Sequence, residues 1–99
     1  MKTLSAVLLL LVSPCWAAGP SPLQVQVWAA SCMACHGTDG RAAGAGRAIA
    51  GQAADVLLKS LQDYRDGRRP ATVMHQHARG YSDAELALIA EHFARQATR

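Results

Sequence analysis

The chain has 99 residues, 51% of them hydrophobic, with 10 Lys+Arg against 7 Asp+Glu and a formal net charge of +3. That length holds one domain and excludes a multidomain enzyme. The hydrophobic fraction misleads, because residues 1–18 hold 13 of the 50 hydrophobic side chains. Met1 and Lys2 make a positive start, residues 3–12 an apolar run, Ser13-Pro14 a break, and Ala17 and Ala18 suit a signal peptidase. Residues 1–18 are therefore expected to be a cleaved secretory signal and residues 19–99 a single domain working in the periplasm. An apolar run of about ten residues is too short to span a bilayer, so no stable membrane span is expected. Cys15 is read as leaving with the signal, since Pro14 directly before it suits lipid attachment poorly.

Residues 19–99 keep 37 hydrophobic side chains, of which 17 are Ala. Only 13 of these 81 residues are Leu, Ile, Val or Phe, fewer than the roughly one in five below which a highly charged chain is disordered. With a net charge of only +2 over this stretch, disorder does not follow. Something else must staple or fill so small a core.

In chain order, Ser21 is a candidate N-cap with Pro22 at the first helical position and Gln24 completing a capping box, which predicts a helix over residues 23–34. Leu23 to Val27 also alternates like a strand, so the prediction rests on the caps and on the motif at the helix end. That motif is Cys32-Met33-Ala34-Cys35-His36, the C-x-x-C-H pattern of covalent c-type haem attachment. Two thiols three positions apart can add across the two vinyl groups of one porphyrin. The adjoining imidazole then falls beneath the iron as an axial ligand. The competing readings are weaker. A Cys32–Cys35 disulfide would close a tiny loop and stabilise little. A thioredoxin-like pair wants a βαβ setting, and a zinc site wants a second ligand pair, for which His75 and His77 are the only candidates.

From Gly37 to Gly51 the chain holds five glycines among many alanines, composition suited to a loop wrapping the edge of a flat cofactor. A second helix is predicted over residues 53–66, with Val56, Leu57, Leu61 and Tyr64 on its apolar face and Gly67 and Pro70 ending it. Residues 69–74, Arg-Pro-Ala-Thr-Val-Met, are expected to be an extended loop. Met74 is the first candidate for a sixth iron ligand, because Met33 lies in the attachment motif on the side of His36. His75 and His77 are the other candidates and would give a lower-potential bis-His haem. The third helix starts at a capping box, Ser82-x-x-Glu85, and buries Leu86, Ile89, Ala90 and Phe93 at helical spacing. Two haem propionates would bring the arginine-rich chain near neutrality, which removes the case for nucleic-acid binding. Arg68 and Arg69 are placed to pair with a propionate or to guide an acidic partner.

Taken over residues 23–96, this order of elements resembles a class I cytochrome c: attachment helix, C-x-x-C-H, Gly-rich loop, middle helix, Met-bearing loop and C-terminal helix. Residues 35–40 (CHGTDG), 50–52 (AGQ), 64–67 (YRDG), 69–74 (RPATVM) and 80–83 (GYSD) look most like the small cytochrome subunits of flavocytochrome c sulfide dehydrogenase. The resemblance implies an all-α, small class I cytochrome c fold, with three main helices wrapped around one covalently attached haem c. It implies Cys32 and Cys35 as thioether sites, His36 as proximal ligand and Met74 as distal ligand. It also implies an electron-transfer protein, not an enzyme in itself, with a flavoprotein dehydrogenase subunit as donor and a downstream electron acceptor. The alternatives are a freely diffusing cytochrome serving another dehydrogenase or an oxidase, and a haem sensor or enzyme with an open sixth site. In one respect the chain departs from the family. Residues 44–49 carry no proline where relatives have one that seats the proximal histidine, so the backbone carbonyl that takes the His36 ring N–H is not evident from sequence.

Overall fold

In a computed structural model, the described residues (13–15, 18–42 and 46–98) form four α-helices and a short 3-10 turn, with no strand among them. Fourteen of the eighteen residues of the expected export signal lie outside the described ones. The helices are α1 (Pro22–His36), α2 (Ala54–Arg65), α3 (Met74–Ala78) and α4 (Asp83–Ala94), and the 3-10 turn is Thr38–Gly40.

Helix α1 begins where the caps place it. The Ser21 side chain accepts the Gln24 N–H at 3.2 Å and Pro22 stands in the first turn. This settles the helix-versus-strand ambiguity of Leu23 to Val27 in favour of helix. Only half of the capping box forms, because Ser21 caps Gln24 without a return bond from the Gln24 side chain. No Asp, Glu, Lys or Arg occurs between Pro22 and His36, and the helix buries only Val25 and Ala29.

Helix α4 packs against both α1 and α2. Its Leu86, Ile89, Ala90 and Phe93 are all buried, as their spacing predicts. Ile89, Ala90 and Phe93 meet Ala29 of α1 and Leu57 of α2 in a single cluster. Ala29 is fully buried there, and its single methyl lets the two helices approach closely. The capping box at Ser82 is complete: Ser82 Oγ accepts from Glu85 N–H, and Glu85 Oε2 accepts from Ser82 N–H at 2.7 Å. Such a cap contributes about 1 kcal/mol.

Helix α2 buries Leu57 and half-buries Leu58, Leu61 and Tyr64, but Val56, expected on the apolar face, is 53% exposed. The burying arc is rotated toward Leu58 because α2 must meet α4 on one side and α3 on another. The helix ends in a Schellman motif: Arg68 N–H donates to the Asp63 carbonyl at 2.9 Å and Gly67 N–H to that of Tyr64 at 3.4 Å. The motif needs a left-handed residue, and Gly67 supplies it at φ +77°.

An ionic network ties α2 to its neighbours. Asp63 accepts from Lys59 at 2.6 Å and Arg68 at 2.8 Å, and Asp66 from Arg65 at 2.9 Å and Arg68 at 3.0 Å. Arg65 also reaches Asp83, in the first turn of α4, at 2.6 Å. Hydrogen bonds from Lys59 and Arg68 hold the Asp63 carboxyl below the usual carboxylate range, and Arg65 does the same for Asp66. Folded-state values below the unfolded ones mean that these groups stabilise the fold above the unfolded pKa. That support is lost as pH falls through the lower folded values. Melting temperature is therefore expected to decline as pH drops below about 4, and less steeply in Asp63→Asn. Because the pairs are at the surface, the difference should shrink in high salt.

Candidate functional site

The last turn of α1 brings together three of the four residues singled out from sequence. Cys32 is half-buried against the core, Cys35 is exposed, and both thiols are free. Burial pushes the Cys32 thiol pKa up, against a smaller opposing effect of its hydrogen bond with Ser31. His36 comes directly after as the last residue of the helix.

The imidazole is seated from outside the helix. His36 Nδ1 lies 2.6 Å from the carbonyl oxygen of Arg47. A carbonyl oxygen only accepts, so Nδ1 carries the proton and Nε2 keeps its lone pair for a metal. This names the carbonyl that the proline-free loop left unassigned. The loop reaches that position by folding back on the end of α1. Gly46 N–H donates to the Cys35 carbonyl at 3.0 Å, and Ile49 and Ala50 N–H both donate to the Gly40 carbonyl, at 2.8 and 3.0 Å.

Gly46 is the tight point. A Cβ there would collide with the Cys35 carbonyl oxygen and lie 2.6 Å from its carbon. Both partners are backbone, so neither can swing aside as a side chain would. Gly46→Ala is expected to cost about 1–3 kcal/mol by overpacking and to pull the Arg47 carbonyl from His36. A lowered melting temperature with a changed His36 ring N–H signal in proton NMR would record both effects.

Met74 stands apart from α1, on the far side of α2 in the chain. The segment before it is irregular through Val73, as expected for the loop, but Met74 itself opens α3. Here the expectation of an extended loop is corrected. The Val73 carbonyl accepts from Gln76 N–H at 2.9 Å and His77 N–H at 3.3 Å, which winds the chain into a turn at Met74. This short helix is an addition to the three main ones and packs on α2.

A cavity of about 480 Å³ is lined by Tyr64, Pro70, Ala71, Thr72 and Met74, a size suited to a small cofactor or part of a larger one. No α1 residue lines it. His75 and His77, the competing candidates, do not line it either. His77 is exposed, and His75 Nδ1 is buried without a hydrogen-bond partner. Among the described residues no three of His, Cys, Asp and Glu gather as a metal-binding group, so His75 and His77 do not complete a zinc site with the two cysteines.

Three contributors were not evident from sequence: the Arg47 carbonyl, the close approach at Gly46, and Tyr64 as a cavity wall. The first two are contacts of backbone atoms, for which residue type carries little signal. Tyr64 was legible as apolar but not as cavity-lining.

The donor set fits a c-type haem. It offers two free thiols one helical turn apart, an imidazole whose Nε2 is left available by a fixed Nδ1 donor, and a soft thioether on a cavity wall. With the all-helical architecture, this defines a class I cytochrome c fold. The chain belongs to the cytochrome c family, whose model matches residues 25–94, and as such it is an electron carrier with one covalent haem c.

Relatives narrow the comparison. The chain is 40% identical over 68 residues to the cytochrome subunit of sulfide dehydrogenase of Chlorobaculum tepidum, a match covering 69% of this chain and 62% of that protein. It is 41% identical over 70 residues to cytochrome c-554(548) of Halomonas halodenitrificans, covering 67% of this chain and 84% of the relative. Against cytochrome c4 of Pseudomonas aeruginosa it is 42% identical over 72 residues, covering 72% of this chain and 36% of the relative.

Proposed function

We propose that this cytochrome is a periplasmic one-electron carrier that takes electrons from a flavoprotein oxidising sulfide and passes them to a downstream acceptor. In this reading residues 1–18 are a cleaved export signal and residues 19–99 the working domain. No described helix is long and apolar enough to cross a membrane. The observation that carries the donor assignment is the 40% identity to a protein named as the cytochrome subunit of sulfide dehydrogenase.

Cys32 and Cys35 would hold the haem through thioether bonds, with His36 and Met74 as the residues that would ligate its iron. When bound, the haem supplies one-electron cycling between Fe(III) and Fe(II). The protein's own part is to hold that centre still. The Arg47 carbonyl fixes the His36 ring, and the cavity wall carries Met74. Of the three sixth-ligand candidates, Met74 is favoured because it alone lines the cavity. With both protein ligands in place the iron would have no open position, which favours a relay of electrons, with sulfide chemistry left to the partner.

The test is purification from the native periplasm, followed by stopped-flow mixing with a flavin-containing sulfide dehydrogenase subunit and sulfide. Haem reduction that needs both the flavoprotein and sulfide is expected. Reduction by sulfide alone, or none with the flavoprotein present, would replace this donor with another dehydrogenase.

A further inference from the structure

The cationic cluster around the end of α2 holds one charge too many. Lys59, Arg65 and Arg68 face the carboxylates of Asp63, Asp66 and Asp83, three cations against three anions. Arg68 is engaged on two of those carboxylates, at 2.8 and 3.0 Å. Arg69, its neighbour in sequence, makes no ion pair among the described residues. Its guanidinium lies over the Tyr64 ring, 4.9 Å from the centroid, and one nitrogen donates to Ser60 Oγ at 3.1 Å.

That posture places a partly unused charge beside the cavity that Met74 lines. Tyr64, beneath the guanidinium, lines the cavity, and so does Pro70, the next residue in the chain. Stacking on an aromatic face and a bond to a hydroxyl leave most of the five guanidinium donors unengaged, in a planar fork that matches a carboxylate. A haem brings two carboxylates of its own, the propionates.

We propose that Arg69, held over the Tyr64 ring at the edge of the Met74 cavity, is the protein's counter-ion for a haem propionate. Arg68 is structural and stays with Asp63 and Asp66. The inference rests on the haem occupying the cavity that Met74 lines. The two arginines look interchangeable in sequence, and their partners divide the work.

Potentiometric titration of the holoprotein between about pH 5 and 9 tests this, because a propionate that loses its cation binds a proton more readily. Arg69→Gln is expected to lower the midpoint potential, since removing a positive charge favours Fe(III). The reduction equilibrium should move about three- to tenfold, less in high salt. The pH at which the potential begins to depend on pH should rise. Arg69→Lys keeps the charge without the fork, and its curve should fall between wild type and Arg69→Gln. It also serves if the glutamine variant yields too little holoprotein.

Arg79 likewise makes no ion pair among the described residues and is one control, with Arg68→Gln as the other. A potential–pH curve for Arg69→Gln that overlies wild type overturns the proposal. So does an equal or larger displacement in Arg68→Gln or Arg79→Gln. The near-infrared methionine-to-iron band is recorded on each variant. If that band is present but Arg69→Gln changes nothing, the propionate inference fails while the Met74 ligation stands. Absence of the band in wild type removes the ligation reading itself.

Discussion

Phe93→Ala is expected to leave the holoprotein barely folded. Phe93 is 2% exposed at the centre of the cluster that joins Ala29, Leu57, Ile89 and Ala90. Its ring also abuts Gly40, where a Cβ would stand 2.8 Å from Phe93 Cδ1, and its carbonyl accepts the Gly51 N–H at 2.9 Å. One side chain thus supports α1, α2 and the start of the loop that seats His36. Truncating a buried phenyl costs about 3–5 kcal/mol, against a total stability of about 5–10 kcal/mol for a domain this small. A fall of some 15–30 °C in melting temperature is expected from the entropy scale of a domain of this length. A holoprotein melt within about 5 °C of wild type would mean that the haem, rather than this cluster, carries the core.

Met74→Ala tests the distal ligand directly. Loss of the thioether should abolish the near-infrared methionine-to-iron charge-transfer band and open the iron to carbon monoxide. Because a soft thioether favours Fe(II) over Fe(III), the reduction equilibrium should fall by at least tenfold, about 59 mV for one electron. His75 stands next in sequence, and its capture of the vacated position would show as a low-spin bis-His spectrum with a lower potential. Retention of the band and the potential in Met74→Ala would displace Met74 as ligand. High-spin iron that binds carbon monoxide in the wild type would instead favour the open-site reading.

Most of this fold was legible wherever one residue type does one job. The box Ser82-x-x-Glu85 and the spacing of Leu86, Ile89, Ala90 and Phe93 state where α4 starts and which side it buries, and both are observed. Gly67 closes α2 as its position suggests. The C-x-x-C-H motif is contiguous, so its geometry comes from a single helix turn. What sequence could not show depends on distant partners. Val56 faces solvent because α2 answers to α3 and α4 together, which a single-helix periodicity cannot express. Arg47 contributes its carbonyl, which every residue has, so nothing about arginine at that position announces the role. The different engagements of Arg68 and Arg69 depend on where Asp63 and Asp66 point after the Schellman turn, a property of folded backbone.

The clustering of Ala29 against Phe93 and Ile89 also says something about when the molecule becomes sealed. The segment that bears Cys32, Cys35 and His36 precedes α2 and α4 in the chain, yet α4 is what packs over its helix. During synthesis α1 therefore emerges with its packing surface uncovered and stays so until the last helix arrives. That interval is a window in which the Cys32 thiol, half-buried in the finished fold, is as open to chemistry as the exposed Cys35. A domain whose core was completed by its own early residues would shut that window too soon. The placement of the closing helix at the far end thus acts as a clock, setting when the Cys32 thiol is covered.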